Sequence, residues 1–90
     1  MLFVAIGKQR KPAAEIMSRR LEWTGSEGIE FLAEYWLDGG AANLILVFEA
    51  NSPAAILSFS TAWDDAFEFT ISPAVTGAEG IELAKAVLGG

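Results

Sequence analysis

Ile29-Glu30-Phe31-Leu32-Ala33-Glu34-Tyr35-Trp36, Asp38-Gly39-Gly40-Ala41 and Asn43-Leu44-Ile45-Leu46-Val47-Phe48-Glu49-Ala50 form the stretch that decides the fold. Asp-Gly followed by Gly is a tight-turn signal, because a hairpin turn needs positive φ and glycine adopts it at little cost. The apolar runs on either side read as the two strands of a hairpin. With Asp38 opposite Ala41, paired residue numbers sum to 79. Side chains alternate faces along a strand, so both faces can be written out. One carries Ile29, Phe31, Ala33 and Tyr35 with Leu44, Leu46, Phe48 and Ala50. The other carries Glu30, Leu32, Glu34 and Trp36 with Asn43, Ile45, Val47 and Glu49. The first face is wholly apolar and calls for burial. The second is half apolar and half acidic, and that mixture is the chief functional clue in the chain.

Working outward, residues 2–7 read as a strand, followed by a basic loop, Lys8-Gln9-Arg10-Lys11. Pro12 suits the first turn of a helix. Ala13, Ile16, Met17 and Leu21 give that helix the stripe of one laid on a core. Asn51-Ser52-Pro53 is a cap-then-proline start for a second helix, with Ile56, Phe59 and Trp63 as its buried stripe. Phe67, Phe69 and Ile71 alternate with Glu68, Thr70 and Ser72 as a half-buried strand. Thr76 and Glu79 have the spacing of a capping box, opening a last helix striped by Ile81, Ala84 and Leu88. The order is β-α-β-β-α-β plus a terminal helix. Right-handed crossovers put both main helices on one face of a four-stranded antiparallel sheet, with strands one and three central. The expectation is an α+β, ferredoxin-like fold over a single domain, residues 1–90.

Two helices cover one sheet face only. The other would show Leu32, Trp36, Ile45 and Val47 among Glu30, Glu34, Glu49 and Glu68, a strip that soluble monomers seldom leave in water. Composition points the same way. Ninety residues bury only about two-thirds of their surface on folding, while 52% of this chain is apolar and its mean hydropathy is +0.36. Pairing two such sheets face to face gives a homodimer with a lumen, the dimeric α/β barrel.

No run approaches the ~20 apolar residues that span a bilayer, and residues 1–6 lack a preceding basic region, so a cytoplasmic, membrane-free protein is expected. Cysteine and histidine are absent, which removes disulfides, thiolate chemistry, the usual zinc sites and histidine acid–base catalysis. Net charge is −6, which repels phosphate backbones and argues against nucleic-acid binding. It is also uneven. Residues 1–26 hold five basic and two acidic groups, and residues 27–90 hold one basic and ten acidic.

Three constellations bear on chemistry. Glu30 stands opposite Glu49 in this register, and like charges there repel. Either they form a carboxylate-lined mouth that binds calcium or magnesium or keeps one carboxyl protonated, or they splay into water or pair with Lys8, Arg19 or Arg20 of a partner. Glu34, deeper in the strand beside Ile45, is the better single candidate for a catalytic carboxylate. Trp36 opposite Asn43 could hold a planar ligand by stacking and a hydrogen bond, or pack in a dimer interface. With Leu32, Ile45, Val47, Glu30, Glu49 and Glu68 they make the candidate ligand-binding set. No metal site and no cofactor are assigned. Trp23 and Trp63, at helix ends, read as core plugs. No Walker or dinucleotide-binding glycine spacing occurs.

Lys11-Pro12, Glu22-Trp23, Glu27-Gly28-Ile29-Glu30, Glu34-Tyr35, Glu49-Ala50-Asn51, Trp63, Phe67-Glu68-Phe69 and Pro73-Ala74-Val75 occur in an order that resembles the family catalogued as domain of unknown function 3303. That family is similar to the dimeric α/β-barrel superfamily, and the likeness spans nearly the whole chain. It implies the fold and a dimer and no activity, since relatives in the wider superfamily include cofactor-independent monooxygenases, haem-degrading enzymes, isomerases and amino-acid sensors. Some related oxygenases use Trp, Asn and Tyr in a cavity, but parity turns Tyr35 to the other face. The reading that follows is a small homodimeric protein holding a small, mostly apolar molecule in its inter-sheet lumen. The alternatives are a cofactor-independent monooxygenase or isomerase using Glu34 as base, and a structural dimer without a pocket.

Overall fold

The computed structural model describes residues 1–40 and 42–89. Its elements are β1 (Leu2–Gln9), α1 (Ala13–Glu22), β2 (Ile29–Trp36), β3 (Leu44–Ala50), α2 (Pro53–Trp63), β4 (Phe67–Pro73) and α3 (Gly77–Leu88). The strands form one antiparallel sheet in the order β2-β3-β1-β4, with β3 and β1 central. This is the expected α+β, ferredoxin-like arrangement. No helix among the described residues is long and apolar enough to cross a membrane.

Local chemistry accounts for the helix starts. Ser52 caps α2 by accepting the Ala55 N–H at 3.2 Å, with Pro53 in the first turn. Thr76 caps α3 by accepting the Glu79 N–H at 3.1 Å, and Glu79 turns back to the Thr76 hydroxyl. The core lies between one sheet face and the helix pair. Ile16 of α1 and Phe59 and Trp63 of α2 meet Leu44, Leu46 and Phe48 of β3, Ala5 of β1 and Phe67 of β4. Trp23 sits edge-on to Phe31 and Trp63, with ring centres 5.1 and 5.7 Å away, so both helix-end tryptophans are core plugs. Such aromatic pairs add about 0.5–1.5 kcal/mol each beyond their buried area. Gly7 is needed in β1 because a Cβ there would stand 2.9 Å from the Phe69 ring.

Four expectations are corrected. β1 runs on to Gln9 instead of stopping at Gly7, because β4 pairs with it as far as Lys8–Glu68 and Gln9–Phe67. In α1 only Ile16 of the expected stripe is buried, and Ala13, Met17 and Leu21 face outward. The helix instead turns Ile16, the Arg19 and Arg20 stems and Trp23 inward, drawn by Arg19. Arg19 binds Asp65 at 2.8 Å and the Ala62 carbonyl at 3.0 Å, and lies 4.6 Å above the Trp63 ring. In α3 the stripe of Ile81, Ala84 and Leu88 has nothing beneath it, and no residue of that helix is buried.

The fourth correction is the hairpin register. Pairs sum to 79 at one end, as in Ile29–Ala50, Glu30–Glu49 and Phe31–Phe48. Past that point they sum to 80, as in Ala33–Val47, Glu34–Leu46, Tyr35–Ile45 and Trp36–Leu44. Leu32 is the extra residue of a β-bulge, in which two residues oppose one and the ladder slips by a position. The expected Asp38–Ala41 pair involves Ala41, which lies outside the described residues. The slip has already changed the sides of everything between Leu32 and the turn, where Gly39 and Gly40 do take positive φ, +85° and +83°.

Candidate functional site

The bulge splits the expected ligand-binding face between the two sides of the sheet. Glu34 and Trp36, placed by simple alternation on the open face with Asn43, point toward the helices, opposite Leu46 and Leu44. Tyr35, placed in the core, pairs with Ile45 and is 59% exposed. The physical reason is spacing. Phe31 and Trp36 are both large and both need cover, yet they are an odd number of residues apart. A regular strand would bury one and expose the other. One extra residue between them lets both face inward.

On the helix side, Arg20 reaches across from α1 and grips Glu34 with both ends of its guanidinium. Nη2 donates to Oε1 at 2.8 Å and Nε to Oε2 at 3.0 Å. The Trp36 indole N–H donates to Oε2 at 2.8 Å. The Arg20 guanidinium also lies 5.3 Å from the centre of the Trp23 ring. The Arg20 hydrogen bonds hold the Glu34 carboxyl below its ordinary value. Partial burial works the other way, and the Trp36 hydrogen bond adds to the lowering. An ionised, triply bonded carboxylate is a weak base at neutral pH. Beneath this trio lies a small cavity walled by Trp23, Leu46, Phe59, Trp63, Phe67 and Phe69, with a volume of about 20 Å³. Roughly 10–15 Å³ of such space holds one water, so this cavity is no ligand pocket in the form described.

On the open side, register and exposure place Leu2, Val4 and Ile6 of β1 beside Ile45 and Val47 of β3. Tyr35 and Ala33 flank them on β2, and the bulged Leu32 is 51% exposed next to them. Glu30 and Glu49 do stand opposite each other, as expected. The repulsion is relieved at one partner, because the amino group of Met1 lies 2.9 Å from the Glu49 carboxylate. Glu68 stands at the other end of the sheet, opposite Lys8, whereas Glu49 stands opposite Leu2. Six residues of strand separate these levels, about 20 Å. The four glutamates therefore do not gather. Among the described residues no three acidic side chains come together in a way that could hold a metal ion.

Asn43 does not stand directly opposite Trp36, which pairs with Leu44, but the two line one open groove with Ala13, Met17 and Leu37. The Asn43 side-chain oxygen accepts the Gln9 N–H at 2.9 Å, and its backbone carbonyl accepts from Leu37, so it closes the ends of β1 and β2. The structure thus brings Glu34 and Trp36 together, and Leu32, Ile45 and Val47 together, on opposite sides of one sheet. Arg20 is the site residue that strand alternation alone misses. The odd spacing of Phe31 and Trp36 is the signal that could have found it, because turning Trp36 inward carries Glu34 toward α1.

No curated protein and no solved structure matches the chain. A protein family does, over residues 1–88, and its description is domain of unknown function (DUF3303). That span takes in every element from β1 to the end of α3, so the chain belongs to the DUF3303 family.

Proposed function

We propose that this protein works as a homodimer whose open sheet faces pair, and that the lumen between them holds a small, mostly apolar molecule. The observation that carries this reading is the uncovered strip of Leu2, Val4, Ile6, Ile45 and Val47, extended by Leu32 and Tyr35. Ile6, Leu32 and Tyr35 are 43%, 51% and 59% exposed and the other four are half-buried; apolar area removed from water is worth about 25 cal/mol per Å², so covering the strip is favourable. Its rim supplies the polar groups that orient a face and a ligand, with Glu30 and Glu49 at one end and Lys8 opposite Glu68 at the other. The enclosed cavity beside Arg20, Glu34 and Trp36 holds no more than a water or so and is not the ligand site. A catalytic role for Glu34 draws less support, since Arg20 and Trp36 occupy its lone pairs.

Native mass spectrometry on protein purified without added ligand tests this. A dimer carrying a reproducible extra mass is the expected result. A bare dimer removes the ligand and leaves a structural dimer, and a bare monomer removes the whole reading. Two substitutions check the sides of β3. Leu46→Asp, in the core, is expected to unfold the chain, whereas Val47→Asp is expected to leave it folded and monomeric. Gel filtration and thermal melts separate the two, and a reversed outcome would mean that the wrong face had been read as open.

A further inference from the structure

On the helix side of the sheet, an open groove of about 530 Å³ lies between the start of α1 and the turn that joins β2 to β3. Small-molecule sites commonly measure about 300–1,000 Å³, with apolar walls and a few polar groups. Ala13 and Met17 of α1 form one wall, and Trp36 with Leu37 just past the end of β2 forms the other. Met17 and Leu37 are 50% and 42% exposed, so the walls are reached from solvent.

The walls are held in place by bonds already made. The Trp36 indole N–H is given to Glu34 at 2.8 Å, and Arg20 grips Glu34 in turn. Trp36 lines both the enclosed cavity that it shares with Phe67 and the open groove. With its N–H occupied, the indole offers the groove an aromatic surface and no donor. At the floor, Asn43 accepts from the Gln9 and Leu37 backbone N–H groups at 2.9 and 2.8 Å. A site braced in this way has little ordering to do when a ligand arrives.

Charge chooses the ligand. Asp38 is the one charged side chain of the lining, and among the described residues it makes no ion pair. None of the basic side chains at positions 8, 10 and 11 lines the groove. Lys8 pairs across the ladder with Glu68, and Lys11 is held by Glu15 and Asp65. We propose that the groove binds a flat aromatic cation, its ring against Trp36 between Met17 and Leu37 and its charged nitrogen group at the Asp38 carboxylate. The indole contributes to the same preference, because the face of an aromatic ring is negative and attracts cations. An anion of the same shape meets Asp38 as a like charge, and a neutral one keeps the stacking and loses the ion pair. This site is on the side of the sheet away from the proposed lumen and does not depend on dimerisation.

Benzamidine, benzamide and benzoate share one shape and differ in charge, and they test the proposal on the full chain by amide and indole NMR titration. The expected result is saturable benzamidine shifts at the Trp36 indole N–H and at the Leu37, Asp38 and Asn43 backbone amides, with weaker binding of benzamide and none of benzoate. Asp38→Asn, in an exposed turn that asparagine also suits, is expected to weaken benzamidine about two- to fivefold at low salt, the range for an exposed ion pair, and to leave benzamide unchanged. Benzoate binding as tightly as benzamidine, or an Asp38→Asn variant that binds benzamidine as the parent does, would overturn the proposal. Shifts confined to Tyr35, Ile45 and Val47 would overturn it too, and would leave the reading of the open face standing. So would the absence of a saturable shift with benzamidine, whatever the oligomeric state.

Discussion

Glu34 accepts from Arg20 and Trp36, and its behaviour with pH follows from those bonds. Its folded pKa lies below its unfolded value, which is about 4.3. The stability it contributes is therefore complete above that range and is lost as pH falls through the lowered folded value. Glu34→Gln keeps the size of the side chain and removes the charge. It is expected to cost about 1–3 kcal/mol at neutral pH, the range for a hydrogen bond to a charged group. It is also expected to flatten the fall in stability below about pH 4.3. Urea unfolding of both proteins at neutral and acid pH measures both effects, and an unchanged acid slope would mean that the ion pair does not set it. Gly28 poses a separate residue-scale test. Its φ is +80°, and a Cβ there would lie 2.9 Å from both the Ala55 Cβ and the Asn51 Oδ1. Gly28→Ala is expected to cost at least about 1–3 kcal/mol from backbone strain alone, read as a lower unfolding midpoint.

The elements of the sheet were legible from sequence because their signals are local. Alternation in residues 67–73, the Ser52-Pro53 start and the Thr76–Glu79 box each act within a few residues, and each is where it was expected. The candidate site was not fully legible, because the facing of Glu34, Tyr35 and Trp36 depends on one inserted position between Phe31 and Ala33. The helix stripe of α1 failed for another reason. Alternation of apolar residues does not reveal that Arg19 and Arg20 lay their stems inward to reach Asp65 and Glu34. The bulge itself is testable. Deleting Leu32 restores a regular ladder without changing the side of Glu34, Tyr35 or Trp36, so the variant is expected to fold with Trp36 still against Phe67. Deleting Tyr35 also makes the spacing of Phe31 and Trp36 even, but a regular ladder then turns Glu34 outward, away from Arg20, so this variant is expected to melt at a lower temperature than the Leu32 deletion. Equal melts for the two deletions would mean that the inward facing of Glu34 adds nothing to stability.

At the scale of the whole molecule, composition and folding divide the aromatic side chains into two populations. All three tryptophans lie on the helix side of the sheet, against Phe31, Phe59 and Phe67, while the single tyrosine, Tyr35, stands on the open side. The protein thus carries two optical reporters that do not look at the same thing. Tryptophan emission follows whether the core is assembled, and the Tyr35 phenol follows whether the outer face is wet. Nitration of Tyr35, or its ultraviolet titration, becomes a measure of face coverage that needs no label and leaves the fold signal untouched. A chain whose tyrosine is protected while its tryptophan spectrum stays constant has met a partner or a ligand, and one whose two signals move together has unfolded.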